Sequence, residues 1–135
     1  MVGFTGVSCS TADVYRRLDE LRAGGQASSR GIELSGEFHE LATALARGDV
    51  GAAASLLGND LEAAAVDLEP RLTPARDALR DAEPLAVVLA GSGSSWLALC
   101  AGEDDAHRVA GKAKASGALA GVAVASSLSH GPFSD

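Results

Sequence analysis

The central stretch of the sequence reads AVVLAGSGSSWLALC, residues 86–100. Its two apolar arms have the length and composition of β-strands, and a short Gly/Ser link joins them. Glycine reaches positive φ without strain, so the link predicts a tight antiparallel hairpin. Because both arms are apolar on both faces, we expect a sheet that is covered on both sides. The same link could instead turn its backbone N–H groups toward an anion, although the pattern favours the structural turn.

Helical patterns lie on both sides of this hairpin. A weak strand signal at residues 2–7 precedes five amphipathic segments, and one more helix and a last strand at 119–126 follow the hairpin. The predicted helices begin near Ser10, Glu37, Asp49, Asn59, Thr73 and Glu103. Four strands with helices mainly on one face predict an α+β fold with a ferredoxin-like, four-stranded antiparallel sheet.

Capping signals mark two of the helix starts. Asn59 with Glu62 three residues later predicts a capping box, and Thr73-Pro74 predicts a cap followed by proline at the first helical position. The second helix is expected to bury one apolar stripe. That stripe consists of Phe38, Leu41, Ala42 and Leu45. The fifth helix is expected to bury Leu72, Ala75 and Leu79.

Length and local composition predict the domain organisation. At 135 residues the chain is expected to form one domain, 1–135, with a core of small aliphatic side chains, since only 4% of residues are aromatic. Residues 24–35 are rich in Gly and Ser and predict a flexible loop. Residues 128–135 predict a polar tail.

Charge and cysteine usage limit the partners and the compartment. The net charge of −7 and scattered basic residues argue against a nucleic-acid-binding surface. No apolar run approaches the roughly 18 residues of a membrane span, and the start lacks the pattern of a signal peptide. Cys9 and Cys100 are isolated, so we expect two free thiols and a cytoplasmic protein that does not bind a membrane.

No catalytic or metal-binding constellation stands out. Ser92 lies in Gly-Ser-Gly-Ser, which is neither a hydrolase nucleophile elbow nor a P-loop. His39 has acidic neighbours but no second histidine, and the run Glu103–Asp105 is typical of a helix N-terminus. We therefore expect no catalytic residue and no metal ligand in this chain.

Thr11 and Tyr15 form a more interesting pair. At i and i+4 they project from the same side of the first helix, near its start. A hydroxyl beside an aromatic ring suits a planar heterocycle, because the ring can stack and the hydroxyl can bind its edge. The alternative, which the residues alone favour, is a capping Thr and a Tyr that covers the edge of the core.

Three segments, in order, resemble one enzyme family. They are VSCSTADVYRRLD at 7–19, LGNDLE at 57–62 and AGSGSS at 90–95. Together they are similar to the 4-diphosphocytidyl-2-C-methyl-D-erythritol kinases of the GHMP superfamily, which act in non-mevalonate isoprenoid biosynthesis. The resemblance spans almost the whole chain but only the carboxy-terminal half of the family enzymes.

The resemblance implies a divided function. Family members phosphorylate the 2-hydroxyl of a cytidine-diphosphate-linked substrate, using ATP and Mg²⁺. Their ATP loop and catalytic Asp and Lys lie in an amino-terminal half that has no counterpart here. We therefore expect this chain to partner that missing half, to bind neither ATP nor Mg²⁺ alone, and to be inactive by itself.

The resemblance also assigns residues. Thr11 matches a family threonine and Tyr15 an aromatic residue at the cytosine end of the substrate site. Gly91, Ser92 and Gly93 match the third superfamily motif, a loop that backs the phosphate-binding region. Asn59 and Asp60 match a family Asn-Asp pair, which we interpret as structural capping.

Departures from the family leave two alternatives open. Ser94-Ser95 stand where the family usually has Pro-Thr, Leu97 replaces a frequent aromatic, and the opening strand is short, which predicts an exposed sheet edge. The chain could instead be a non-catalytic ligand-binding or dimerisation module, forming a homodimer. It could also be the corresponding domain of a homoserine or mevalonate-type kinase.

Overall fold

A computed structural model describes residues 1–26 and 34–126 of the chain. Within these residues it contains four strands and six helices. In chain order the elements are β1 (Val2–Phe4), α1 (Thr11–Ala23), α2 (Leu34–Ala46), α3 (Val50–Leu56), α4 (Leu61–Leu68), α5 (Leu72–Asp81), β2 (Ala86–Leu89), β3 (Trp96–Leu99), α6 (Glu103–Ala115) and β4 (Gly121–Ala123). This order confirms the predicted α+β class.

The strands form one antiparallel sheet in the order β2-β3-β1-β4. The central hairpin is confirmed, with Leu89 opposite Trp96 and Val88 opposite Leu97. β1 is an interior strand, because Val2 lies opposite Leu97 of β3 on one side and Ala123 of β4 on the other. The sheet therefore has the ferredoxin-like arrangement that the sequence predicts.

Three helices pack on one side of this sheet, which we call the inner face. α4 and α5 pack against β2, α5 also contacts β3, and α6 packs against β4, while α1 lies on α4. The Trp96 side chain is fully buried on the inner face, beside buried Leu89 and Ala98. Leu72 and Leu79 of α5 are also fully buried. The core thus lies between the sheet and α4, α5 and α6.

Small side chains allow these helices to approach closely. Ala64 and Ala65 of α4 and Ala113 of α6 have no exposed surface. An alanine at a contact removes the side-chain volume that would otherwise keep two helix backbones apart. The predicted core of small aliphatic residues is confirmed.

The opposite side of the sheet, the outer face, differs from its prediction. Side chains alternate along each strand, so the residues facing outward follow from the register. They are Val2, Phe4, Ala86, Val88, Leu97, Leu99, Gly121 and Ala123. Phe4 and Leu97 are 44% and 40% exposed. The prediction of a sheet covered on both sides is therefore wrong within the described residues.

Helix starts differ in detail from the capping predictions. Glu62 does not reach back to Asn59 but lies 4.0 Å from the guanidinium of Arg76, across to α5. α5 begins at Leu72, so Thr73 and Pro74 lie inside its first turn. Proline is tolerated there because the first N–H groups of a helix have no intrahelical acceptor.

Several predicted boundaries also move. β1 ends at Phe4 rather than at residue 7, and Gly6 has a positive φ of +72°. α2 begins at Leu34, three residues before the predicted start. Its predicted apolar stripe is wrong, since Phe38 is 70% exposed and Leu45 61%, whereas Ala44 is buried. α2 packs mainly on α3, a short helix whose buried residues are Ala53 and Ala54, so only a narrow strip of α2 is covered.

Two sequence predictions fall mainly outside the described part. The predicted loop at 24–35 includes residues 27–33, and the predicted tail at 128–135 lies within 127–135. None of the helices in the described part combines the length and apolar character needed to cross a bilayer.

Candidate functional site

Two residues that the sequence singled out separately meet in the structure. Ser10, not Thr11, caps α1, because its side chain accepts a hydrogen bond from the Asp13 backbone N–H. Thr11 is the first helical residue, and its hydroxyl is free for another partner. Thr11 Oγ1 lies 2.9 Å from Ser92 Oγ in an exposed hydrogen bond between residues 81 positions apart. The start of α1 is thereby attached to the loop between β2 and β3.

Tyr15 lies one turn further along the same side of α1. Its side chain is 54% exposed, so a large part of the phenol ring is open to solvent. Ser10 caps the helix, so the interpretation of Thr11 as the cap is wrong. Thr11 and Tyr15 instead place a hydroxyl group and an exposed aromatic ring on the surface next to the loop.

The loop itself, residues 90–95, depends on glycine. Gly91 and Gly93 have φ angles of +57° and +97°. The Gly93 N–H donates to the Ala90 carbonyl at 3.0 Å and closes the turn. A Cβ on Gly93 would lie 3.3 Å from Cys9 Sγ, so the loop packs directly on the segment that leads into α1. Gly91 has open space around its Cα instead.

Asn59 holds this loop from the other side. Its Nδ2 donates to the carbonyl oxygens of Leu89 at 2.8 Å and Gly91 at 2.6 Å. Its Oδ1 accepts a hydrogen bond from the Leu61 backbone N–H at 2.9 Å. The amide group thus satisfies the start of α4 and fixes the loop at the same time. The sequence predicts only a cap at Asn59, and the one signal of a wider role is its place in a family segment.

A third contact fixes the end of the loop. Thr5 Oγ1 donates to the Ser94 carbonyl at 2.9 Å. The loop therefore has side-chain partners from the segment after β1, from the start of α1 and from the start of α4. Such anchoring keeps its backbone in one geometry, which a binding site needs.

The Cys9 thiol beneath the loop lies near the ion pair of Glu69 and Arg71. Burial raises the pKa of the Cys9 thiol, the nearby Glu69 carboxylate raises it further, and Arg71 lowers it. Arg71 Nε donates to Glu69 Oε1 at 2.7 Å, and this hydrogen bonding lowers the pKa of Glu69. The positive charge of Arg71 is therefore balanced by the adjacent Glu69 carboxylate.

Among the described residues, no group of three or more His, Cys, Asp or Glu side chains could hold a metal ion. Lysine occurs at two positions, Lys112 and Lys114, both on α6, and Lys112 Nζ pairs with Glu83 at 3.2 Å. The neutralisation of several phosphate charges would need further groups.

A separate groove lies between α2 and α3. Its volume is about 480 Å³, and polar side chains including His39, Arg47 and Asp49 line it. None of Thr11, Tyr15 and the loop glycines borders it. The sequence pattern gave no indication of this groove.

Comparison with known proteins places the chain in a family. The family model described as "GHMP kinases C terminal" matches residues 41–119. The chain is 41% identical over 120 residues to 4-diphosphocytidyl-2-C-methyl-D-erythritol kinase from Rhodococcus jostii (strain RHA1), covering 89% of this chain and 37% of that protein. It is 37% identical over 131 residues to the kinase of the same name from Mycolicibacterium smegmatis, covering 97% and 40%. The chain thus spans less than half the length of these relatives.

Solved structures show the same relationship. A crystal structure of 4-(cytidine 5'-diphospho)-2C-methyl-D-erythritol kinase superimposes with a TM-score of 0.60 and 31% identity, over 84% of this chain and 38% of that one. The mevalonate kinase of L. major, in complex with R-mevalonate, superimposes with a TM-score of 0.59 at 20% identity, over 84% and 37%, which shows a shared fold. The chain belongs to the GHMP kinase family and corresponds to its carboxy-terminal domain.

Proposed function

We propose that this chain is the substrate-side, carboxy-terminal part of an ATP-dependent kinase that phosphorylates 4-diphosphocytidyl-2-C-methyl-D-erythritol. The names of the relatives from R. jostii and M. smegmatis support this substrate. The observation that carries the proposal is the 2.9 Å hydrogen bond between Thr11 and Ser92. It joins the helix expected to bind cytosine to the loop expected to lie near phosphate.

The proposed site matches a ligand that combines a planar base with phosphate. The exposed ring of Tyr15 offers a stacking surface for cytosine, and the hydroxyl of Thr11 lies at the edge of that surface. The loop offers the backbone N–H groups of Gly91 and Ser92 to the phosphate side of the ligand, because the Gly93 N–H already donates to the Ala90 carbonyl. The Thr11–Ser92 contact keeps the two subsites in a fixed relation, so a ligand that spans both loses less freedom on binding.

Phosphoryl transfer itself is proposed to depend on the part of the enzyme that precedes this region in the longer relatives. ATP and Mg²⁺ would supply the phosphoryl group and the charge neutralisation that transfer requires. In this arrangement the preceding part binds ATP and Mg²⁺, and the present chain orients the acceptor substrate. The free state of Cys9 and Cys100 is compatible with our proposal of a cytoplasmic enzyme.

A titration of the ¹⁵N-labelled chain with CDP tests the site. We expect the largest amide shifts at Thr11, Tyr15 and the loop glycines, because these residues contact the base and the phosphates. Tyr15→Ala should abolish the shifts, whereas Phe38→Ala, which removes an exposed ring on α2, should preserve them.

Two results of this titration would contradict the proposal. One is the absence of shifts at these residues with CDP in millimolar excess. The other is a set of site shifts produced by mevalonate but not by CDP, which would favour a mevalonate-type kinase instead.

A further inference from the structure

Helix α2 packs on its neighbour through its polar side. His39, Thr43 and Arg47, spaced four residues apart along α2 and at its end, line the groove shared with α3. An amphipathic helix of a globular protein normally turns its apolar residues toward the neighbouring element and its polar residues toward water. α2 has the opposite arrangement, so packing on α3 does not account for its apolar stripe.

The apolar residues of α2 lie on its other side and form a surface that we call the α2 stripe. The α2 stripe consists of Phe38, Leu41, Ala42 and Leu45. These positions repeat at i, i+3, i+4 and i+7 and therefore share one face of the helix. Phe38, Ala42 and Leu45 are exposed, and Leu41 is half-buried. The stripe is thus an open apolar strip about 10 Å long, and a surface of this kind marks a contact site.

The distribution of charge around the stripe favours a second copy of the chain as the partner. In the part of α2 whose side chains the structure describes, Glu40 lies on the groove side, and so does Arg47 at the helix end. The stripe itself carries no charge. Two copies with a net charge of −7 each repel one another, so they associate most favourably where no carboxylates meet. A basic partner, in contrast, would be recognised by carboxylates in the contact.

We propose that two copies of this chain associate through the α2 stripe, with the two helices antiparallel. A two-fold axis between Leu41 and Ala42 packs Phe38 on the partner's Leu45 and Leu41 on the partner's Ala42. Each contact then occurs twice, as a two-fold interface requires, so the stripe complements itself. The small side chain of Ala42 at the crossing point lets the two helices approach closely. The inference goes beyond the proposed function, because it concerns assembly and not substrate binding.

The size of the stripe determines how strong this contact is. One phenylalanine and its aliphatic neighbours on each copy bury about 600–800 Å² in total, since a large side chain buries roughly 150–250 Å². Stable complexes bury about 1,200–2,000 Å². We therefore expect a reversible dimer with a dissociation constant of about 100 μM, which forms at high protein concentration.

Sedimentation equilibrium of the chain tests the dimer. Between about 10 μM and 1 mM, the average mass of the parent chain should rise from that of a monomer toward that of a dimer. Phe38→Lys and Leu45→Glu each place a charge in the interface and should raise the dissociation constant at least about tenfold. Leu68→Glu, at an exposed position on α4, adds the same charge as Leu45→Glu and should leave the dissociation constant unchanged. Equal melting temperatures of dilute samples check that all variants fold.

An equal mixture of the two interface variants tests the antiparallel arrangement. Because Phe38 packs on the partner's Leu45, the mixture places the introduced lysine of one copy beside the introduced glutamate of the other. It also keeps one contact between Phe38 and the partner's Leu45. We expect the mixture to associate while each variant alone remains monomeric. Parallel helices would pair position 38 with position 38, and the mixture would then not associate.

Three outcomes would overturn the inference. The parent chain could sediment as a monomer at about 1 mM. A dimer could persist in Phe38→Lys and Leu45→Glu but be lost in Leu97→Glu, which would assign the contact to the outer face of the sheet. The mixture could remain monomeric although the parent chain dimerises, which would exclude the antiparallel contact. None of these measurements involves CDP or kinase activity, so the inference and the proposed function can fail separately.

Discussion

At the scale of single residues, the side chain of Asn59 makes three hydrogen bonds that connect two parts of the fold. Its amide oxygen accepts from the Leu61 N–H, and its amide nitrogen donates to the carbonyls of Leu89 and Gly91. Only a side chain with both a donor and an acceptor at its tip can make all three bonds. Asn59 therefore couples the start of α4 to the loop of the proposed site.

Asn59→Asp tests this coupling. Aspartate keeps the acceptor for Leu61 but places a carboxylate oxygen against two carbonyl oxygens. We expect a loss of about 1–3 kcal/mol in the free energy of unfolding, the cost of an unsatisfied and opposed hydrogen-bonding group. Urea unfolding followed by the fluorescence of Trp96, the chain's single tryptophan, measures it.

The neighbouring residue provides the control for this prediction. Asp60→Asn removes an exposed ion pair with Arg22, whose Nη2 lies 3.0 Å from Asp60 Oδ2. Such pairs contribute about 0–1 kcal/mol. If Asn59→Asp proved no more destabilising than Asp60→Asn, the amide would not hold the loop.

The contact between Thr11 and Ser92 marks a limit of sequence reasoning at this scale. Thr11 could be selected from its helical spacing to Tyr15, and Ser92 from the Gly/Ser pattern of its loop. Their hydrogen bond spans 81 positions and exists only because the sheet brings the loop to the start of α1. Local patterns cannot specify such a contact, whereas the order of family segments does point to both sides of it.

At the scale of elements, Arg108 of α6 joins two connections. Its guanidinium donates to the carbonyls of Ala82 and Glu83, after α5, at 2.8 and 3.0 Å. It also binds Asp105 Oδ1, while Asp105 Oδ2 accepts from the Ala101 N–H at 3.0 Å. The first two turns of α6 thus fix the entry to β2 and the exit from β3. The acidic run correctly indicated the start of this helix. The sequence did not predict the contacts of Asp105 and Arg108 with the two connections, which we call the clamp.

The clamp makes stability depend on pH. The hydrogen bond from the Ala101 N–H, followed by those from Arg108, holds the pKa of Asp105 below its usual value. A carboxyl group whose pKa is lower in the folded state stabilises the fold above the unfolded-state pKa of about 3.9. This stabilisation is lost as the pH falls through the lower, folded-state pKa.

Asp105→Asn should therefore lose less stability than the parent chain between pH 7 and pH 3. Asparagine keeps an acceptor but cannot be protonated in this range. Asp104→Asn removes the same charge from an exposed neighbour and serves as the control. Unfolding midpoints in urea at the two pH values provide the measurement. Equal acid sensitivity of Asp105→Asn and the parent chain would show that the clamp has no such effect.

Elements differ in how well the sequence predicted them, and packing explains the difference. The stripe of α5 was predicted correctly, because Leu72, Ala75 and Leu79 pack directly on the sheet and are almost completely buried. The stripe of α2 was wrong. This helix packs mainly on α3 and leaves Phe38 and Leu45 exposed. A periodic pattern indicates which face of a helix could be buried. The element that packs against the helix decides which face is buried in the fold.

At the scale of the whole molecule, the chain has a complete core on one side of its sheet and an apolar surface on the other. Trp96 and its neighbours fill the inner face, while Phe4 and Leu97 remain open on the outer face. The sequence predicted strands covered on both faces, but within the described residues only the inner face is covered. It could not show that the outer face is exposed within the described residues, because strand composition does not identify a covering element.

The most direct test of the proposed function uses a hybrid kinase in which this chain replaces the matching carboxy-terminal segment of the R. jostii enzyme. Its activity is measured as transfer of the ATP γ-phosphate to a small-molecule acceptor. We expect transfer to 4-diphosphocytidyl-2-C-methyl-D-erythritol and none to mevalonate. Tyr15→Ala should raise KM for the cytidine substrate about tenfold, since stacking of a base on an aromatic ring contributes about 1–3 kcal/mol. A folded hybrid that phosphorylates mevalonate instead, or whose KM is unchanged by Tyr15→Ala, would contradict the account.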